Sequence, residues 1–165
     1  MAQISFKGNT VNTAGSLPAV GSKAPDFELT GLDLGTIRLA DFAGKNLVLN
    51  IFPSIDTGVC AASVRQFNQR AASLSNTAVL CVSKDLPFAQ KRFCGAEGIE
   101  NVKMGAEYKN DGFTANYHVK LMDGGLAGLM SRAVVVINAE GMVVHTEQVP
   151  DIAQEPDYDK ALAAL

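Results

Sequence analysis

At 165 residues, 47% of them hydrophobic and 19% charged, the chain has the composition of one well-packed globular domain spanning 1–165 and not that of a disordered segment. A net charge of −3 leaves no basic footprint for nucleic acid, and no apolar run approaches the ~20 residues needed to cross a bilayer. His118 and His145 are distant and neither neighbours a cysteine, three cysteines cannot form a fully paired secreted framework, and MAQISFKGNT lacks a leader's basic and apolar segments. A cytoplasmic protein with reduced thiols, and with neither metal nor cofactor, is expected.

In chain order, ISF and NTVNT flank Lys7-Gly8 and suggest a short N-terminal β-hairpin. A Gly-, Ser- and Pro-rich loop follows, and FELT and TIRLADF then read as two short strands around the turn-forming Gly31 to Gly35. NLVLNIF (46–52) is an almost continuous apolar run, the mark of a strand buried on both faces, and Pro53 ends it. From Cys60, apolar or small residues recur at Val64, Phe67, Ala71 and Leu74, one face of an α-helix. TAVLCVS (77–83) is a second buried strand. Asp85 and Pro87 open a helix that Gly95 and Gly98 close. Ala115 to Val119 is a candidate helix, and Gly124, Gly125 and Gly128 mark a loop. AVVVIN and MVVHTEQV form an antiparallel hairpin around the turn at Asn138 to Gly141, and EPDYDKALAAL reads as a closing helix. The strand–helix–strand unit implies a parallel pair with a right-handed crossover. The whole is an α/β mixed sheet with helices on both faces.

The three cysteines fall in different settings. Cys81 lies between Leu80 and Val82 in a buried strand, where a thiol behaves as a small inert hydrophobe. Cys60 stands at a helix start, where unpaired N–H groups and the helix dipole favour thiolate, the nucleophilic form. Thr57 lies in the preceding turn, where its hydroxyl can bond the sulfur or a substrate, and Pro53 shields that turn. The loop sits at the carboxyl end of a buried parallel strand, where open α/β sheets bind ligands. Position alone leaves Cys60 evenly balanced between a nucleophile and the first core-facing residue of its helix. Cys94 stands at a helix C-terminus, which disfavours thiolate, and the adjacent glycines make that end easy to unwind. A thiol there suits a resolving role or is incidental.

Those residues resemble a known family. Pro53-x-x-x-Thr57-x-x-Cys60, directly after a buried strand, has the spacing of the peroxiredoxin active-site loop. Gly21-x-x-Ala24-Pro25-Asp26-Phe27 and Asp41-Phe42-x-Gly44-Lys45 resemble the lead-in of the same thioredoxin-fold family. More narrowly, NIFPSIDTGVCAASVRQFN and DLPFAQKRFCGAEG resemble bacterial thiol peroxidases, the atypical two-cysteine peroxiredoxins, and the N-terminal hairpin fits that subgroup. The resemblance runs over essentially the whole chain. It departs from many peroxiredoxins after Thr57, where Gly58 stands in place of a proline.

The resemblance implies a thioredoxin-like fold and an antioxidant, thiol-dependent peroxidase acting on hydrogen peroxide and organic hydroperoxides. It implies that the peroxidatic Cys60 becomes a sulfenic acid, that Cys94 resolves it as an intramolecular disulfide, and that thioredoxin reduces the disulfide. Arg132, just before AVVVIN, matches the family's site arginine, a fixed cation for the thiolate and the departing oxygen. Cys81 matches a cysteine outside the redox pair, and a homodimer is expected. Because a disulfide needs Cα atoms within about 4.4–6.8 Å, at least residues 92–98 are expected to unwind to form it. Two other readings compete. A protein thiol–disulfide oxidoreductase usually carries Cys-x-x-Cys, which is missing, and a non-enzymatic redox sensor would use the same disulfide stoichiometrically.

Overall fold

The computed structural model describes residues 2–165. Gln3–Phe6 (β1) and Asn9–Asn12 (β2) pair as the expected hairpin, turning on Lys7 and Gly8 at positive φ. Glu28–Thr30 (β3) and Thr36–Arg38 (β4) form a second, shorter antiparallel pair. The strand expected through TIRLADF stops at Arg38, and Leu39–Phe42 is a 3-10 turn. The Asp41 carboxylate accepts the Arg38 N–H at 2.8 Å, a local bond that favours a helical turn over continued pairing.

The centre of the sheet is Asn46–Ile51 (β5), followed by Gly58–Ala71 (α1), Thr77–Ser83 (β6), Pro87–Glu97 (α2) and Lys103–Ala106 (β7). Then come Gly112–Tyr117 (α3), Ala133–Ile137 (β8), Val143–Gln148 (β9) and Tyr158–Ala163 (α4). The strand order is β4-β3-β7-β6-β5-β8-β9, with β5, β6 and β7 parallel and the flanking strands antiparallel. The mixed sheet and the separate N-terminal hairpin are as expected.

β5 explains why its sequence lacks alternation. Leu47, Leu49 and Ile51 enter one apolar layer with Leu80, Val82, Val135, Phe113 and Tyr117. Val48 enters the opposite layer with Cys60, Val64 and Phe67 of α1, Cys94 of α2 and Ala161 of α4. Helices therefore cover both faces, α3 on one and α1, α2 and α4 on the other. The lead-in motif is packing: Ala24, Phe27 and Phe42 all lie in the α3-side layer, and Tyr117 donates its hydroxyl to the Pro25 carbonyl at 2.7 Å.

The strand β7 has no counterpart among the expected elements. It is four residues long and contains Gly105, a weak strand former. The glycine lets the sheet pack closely, since a Cβ there would lie 2.8 Å from Leu29 Cδ1 and push that side chain aside. α2 also differs, running through Cys94 to Glu97 and ending on Gly98 at φ 65°, so Cys94 lies inside the helix and not beyond its last residue.

Just after β7, the buried Glu107 accepts from the Phe113 N–H (2.8 Å), the Thr114 N–H (3.1 Å) and the Thr114 hydroxyl (2.8 Å), and meets Lys84 Nζ at 3.1 Å. It thereby caps α3. Glu107→Ala leaves these donors buried without an acceptor and is expected to cost about 3 kcal/mol. Urea unfolding should show a lower midpoint at unchanged slope, and a native midpoint would show that α3 does not depend on this cap.

Candidate active site

Between β5 and α1 the chain turns through Pro53 to Thr57. Pro53 is buried, and Thr57 takes the N-cap position of α1 with extended backbone angles. Its hydroxyl makes no capping bond; it donates to the Ser54 carbonyl at 3.1 Å, leaving the side chain exposed at the loop edge. Thr57 therefore does not touch the Cys60 sulfur. Gly58 begins the helix with open space where a Cβ would stand, so nothing in its surroundings requires glycine.

Cys60 is the third residue of α1 and is 0% exposed. Its sulfur meets Arg132: the guanidinium Nη2 donates to Sγ at 3.1 Å. Arg132 directly precedes β8, whose Ala133 pairs with Ile51 at the end of β5, so the sheet register brings arginine and cysteine loop together. The arginine is only 1% exposed. Its Nε donates to the Ile152 carbonyl at 2.7 Å, and its Nη1 has no partner among the described residues. Its main-chain carbonyl accepts from Val149 N at 3.0 Å and Gln148 Nε2 at 2.9 Å. A planar fork held at Nε, with Nη2 on a sulfur, leaves the two N–H groups of Nη1 in fixed positions for a ligand.

The N-terminal hairpin reaches this site first through its main chain. Ser5 N–H donates to the Pro150 carbonyl at 2.8 Å and the Ile152 N–H donates to the Ser5 carbonyl at 3.0 Å, so β1 brackets Asp151 and fixes the carbonyl that orients Arg132. Phe6 of the same hairpin, Leu126 of the glycine-rich loop, and Ile152 join Pro53, Thr57, Gly58, Val59 and Arg132 around a largely apolar pocket of about 170 Å³. Sequence reasoning misses Ile152, Phe6 and Leu126. A backbone carbonyl has no residue signature, and the two apolar side chains sit far from the motif in the chain.

The other thiols differ. Cys81 is fully buried, and burial pushes its pKa up to about 12 even though Asn50 Nδ2 donates toward its sulfur at 3.6 Å. Burial likewise pushes up Cys94, which lies on the same face of the sheet as Cys60. All three cysteines are unbonded. Arg65, on the far side of α1, instead forms a two-point pair with Glu97 of α2. Among the described residues no cluster of His, Cys, Asp and Glu is arranged to hold a metal ion.

Comparison with known proteins fits this geometry. The Redoxin family model matches residues 19–162. A thiol peroxidase of Mycobacterium bovis is 62% identical over all of this chain and 99% of its own. The crystal structure of a peroxiredoxin-like protein from Aquifex aeolicus superposes with a TM-score of 0.92 at 34% identity, covering 99% of this chain and 97% of that one. A thiol peroxidase from Chromobacterium violaceum shares the fold, with a TM-score of 0.89 at 18% identity over 98% of this chain and 94% of that one. The chain belongs to the redoxin family, with the thioredoxin-like fold of the peroxiredoxins. Its class is that of the thiol peroxidases, thiol-dependent oxidoreductases.

The buried thiol of Cys81 carries a pH signature. It keeps its proton up to about 12 in the folded chain, against an ordinary value of 9.0, so between those values the folded state binds more protons than the unfolded one. Stability therefore falls as pH rises through that window, with this thiol contributing at most about 1.4 kcal/mol per pH unit. Urea unfolding between about pH 8 and about pH 11 should show the fall, and Cys81→Ala should flatten it. An identical slope in that variant would assign the fall to other groups.

Proposed function

We propose that Cys60 is the peroxidatic thiol, that Cys94 resolves its oxidised form, and that a thioredoxin dithiol returns the pair to its starting state. The observation that carries this reading is the 3.1 Å contact between Arg132 Nη2 and Cys60 Sγ beside the apolar pocket. A fixed cation at that distance stabilises negative charge on the sulfur.

The thiolate attacks the terminal oxygen of a hydroperoxide, R–O–O–H. The O–O bond breaks, sulfur gains the hydroxyl as a sulfenic acid, and the departing oxygen takes a proton to leave as an alcohol, or as water from hydrogen peroxide. The unpartnered Nη1 of Arg132 is available to the charge that develops on the oxygens. Thr57, on the pocket wall, orients the peroxide, and Pro53 limits water access on the other side. The Cys94 thiol then condenses with the sulfenic acid: an S–S bond forms and water leaves. Thioredoxin reduces that disulfide and is itself oxidised, one dithiol per hydroperoxide. Phe6, Leu126 and Ile152 offer an apolar wall to the carbon chain of an alkyl or lipid hydroperoxide. Thioredoxin recycling belongs to a reducing compartment, which supports a cytoplasmic antioxidant role, and the whole chain, 1–165, works as one domain in a homodimer. Among the described residues no helix is long and apolar enough to cross a membrane.

Both cysteines are buried within helices and unbonded, whereas a disulfide needs Cα atoms within about 4.4–6.8 Å. Residues 92–98, and the first turn at Cys60, unwind to meet that requirement.

Substitutions separate the roles. Cys60→Ser should abolish hydroperoxide consumption and sulfenic acid trapping together, and any residual multiple-turnover consumption refutes the peroxidatic role. Cys94→Ser should react with one equivalent of peroxide and then stall with thioredoxin and its reductase; undiminished cycling removes the resolving role. Arg132→Ala should slow the first step by about 10²–10³-fold, measured by competition for hydrogen peroxide.

A further inference from the structure

The loop that delivers Cys60 and the helix that carries Cys94 are tied together by one carboxylate. Asp85 stands between β6 and α2, half-buried. Its Oδ1 accepts from Ser54 Oγ at 2.8 Å, and its Oδ2 accepts from the Ile55 N–H at 2.7 Å and from Ser83 Oγ at 2.6 Å. Three donors thus converge on one anion at the short distances of charge-assisted bonds. Ser54 passes the constraint on, because its carbonyl accepts both the Thr57 hydroxyl at 3.1 Å and the Thr57 N–H at 3.2 Å.

On the other side, Ser83 Oγ also accepts from Gln90 Nε2 at 3.3 Å, and the same amide reaches the Gly105 carbonyl at 3.2 Å. Gln90 is fully buried and lies one helical turn before Cys94. Past that point the attachments of α2 change character. Arg92 to Asp56 and Glu97 to Arg65 are exposed ion pairs, each with a contact at 2.9 Å, which solvent and salt screen. Gly95 and Gly98 fall in the same stretch.

We propose that Asp85 is a positioning residue that holds loop 54–57 and the first turn of α2 as one block. Thr57 and Cys60 then keep their register during peroxide attack, while within α2 only residues beyond Gln90 unwind toward the disulfide. The second half of this inference rests on the Cys60–Cys94 pairing proposed above; the first half rests on the loop geometry alone.

Two measurements test it. In a Cys94→Ser background, sulfenic acid formation is timed by competition with a second peroxidase for hydrogen peroxide, with Asp85→Ala or Asp85→Asn added. Asp85→Ala is expected to be about tenfold slower or worse, because freeing the loop releases the reacting geometry. Asp85→Asn is expected within about threefold of native, since its amide oxygen still accepts the Ile55 N–H and the two serine hydroxyls can turn. A native rate in Asp85→Ala, or an Asn variant as slow as Ala, overturns the role.

Amide hydrogen exchange on the unsubstituted chain, reduced against peroxide-oxidised, decides the second half even if Asp85→Ala does not fold. Protection lost across 91–98 and kept at Ala89 and Gln90, whose N–H groups donate to the Leu86 carbonyl, is expected, and protection lost at these two amides overturns the anchor. If the unsubstituted chain forms no disulfide at all, the pairing and the anchor fail together, whereas the sulfenic acid comparison still decides the role of Asp85 in the first step.

Discussion

A guanidinium almost entirely removed from water, resting against the sulfur of a cysteine, is the interaction on which the rest of the structure turns. Burying a cation is costly unless its donors are matched, and much of the surrounding architecture supplies those matches. Arg132 has one donor on the Ile152 carbonyl and one on Cys60 Sγ, and its third face borders the pocket. The antiparallel pairing of β8 with β5 sets arginine and cysteine loop at the same end of the sheet. A one-residue slip of that register would carry the arginine to the opposite face.

Seen from this contact, the N-terminal hairpin is part of the site. It packs Ile4 and Val11 against Leu121 and Ile152 in a small apolar cluster of its own, set apart from the two main layers. Its backbone brackets Asp151, and so the carbonyl that aims Arg132 depends on a segment over a hundred residues away in sequence. Phe6 then gives the pocket part of its apolar wall.

Much of this was legible in the sequence because its signals are local. The unalternating run of β5 and TAVLCVS announced strands with two buried faces, and the three- and four-residue steps after Cys60 announced a helix. Pro53, Thr57, Cys60 and Arg132 could be named from their motif; Pro53, Thr57 and Arg132 line one pocket, and the buried Cys60 meets Arg132 through its sulfur. What sequence could not convey was of two kinds. β7 has no local signal, since it is a strand only because β6 and β3 lie on either side of a glycine packed closely against Leu29. The hydroxyl of Thr57 faces its own loop and not the sulfur, and Ile152 acts through a carbonyl that every residue possesses. Cys94, expected at a helix end, lies a turn inside it, and burial is what pushes its pKa up.

The order of the central strands has a further consequence. β5, β6 and β7 are parallel neighbours taken in sequence, so α1 and α2 are successive crossovers advancing in one direction. Crossovers of the same hand land on the same side of a sheet, and Cys60 and Cys94 are found in one layer. Any approach between the two thiols is therefore a lateral rearrangement within a single sheath of helices. The seven-stranded framework beneath, with Arg132 at its rim, is free to stay as it is throughout.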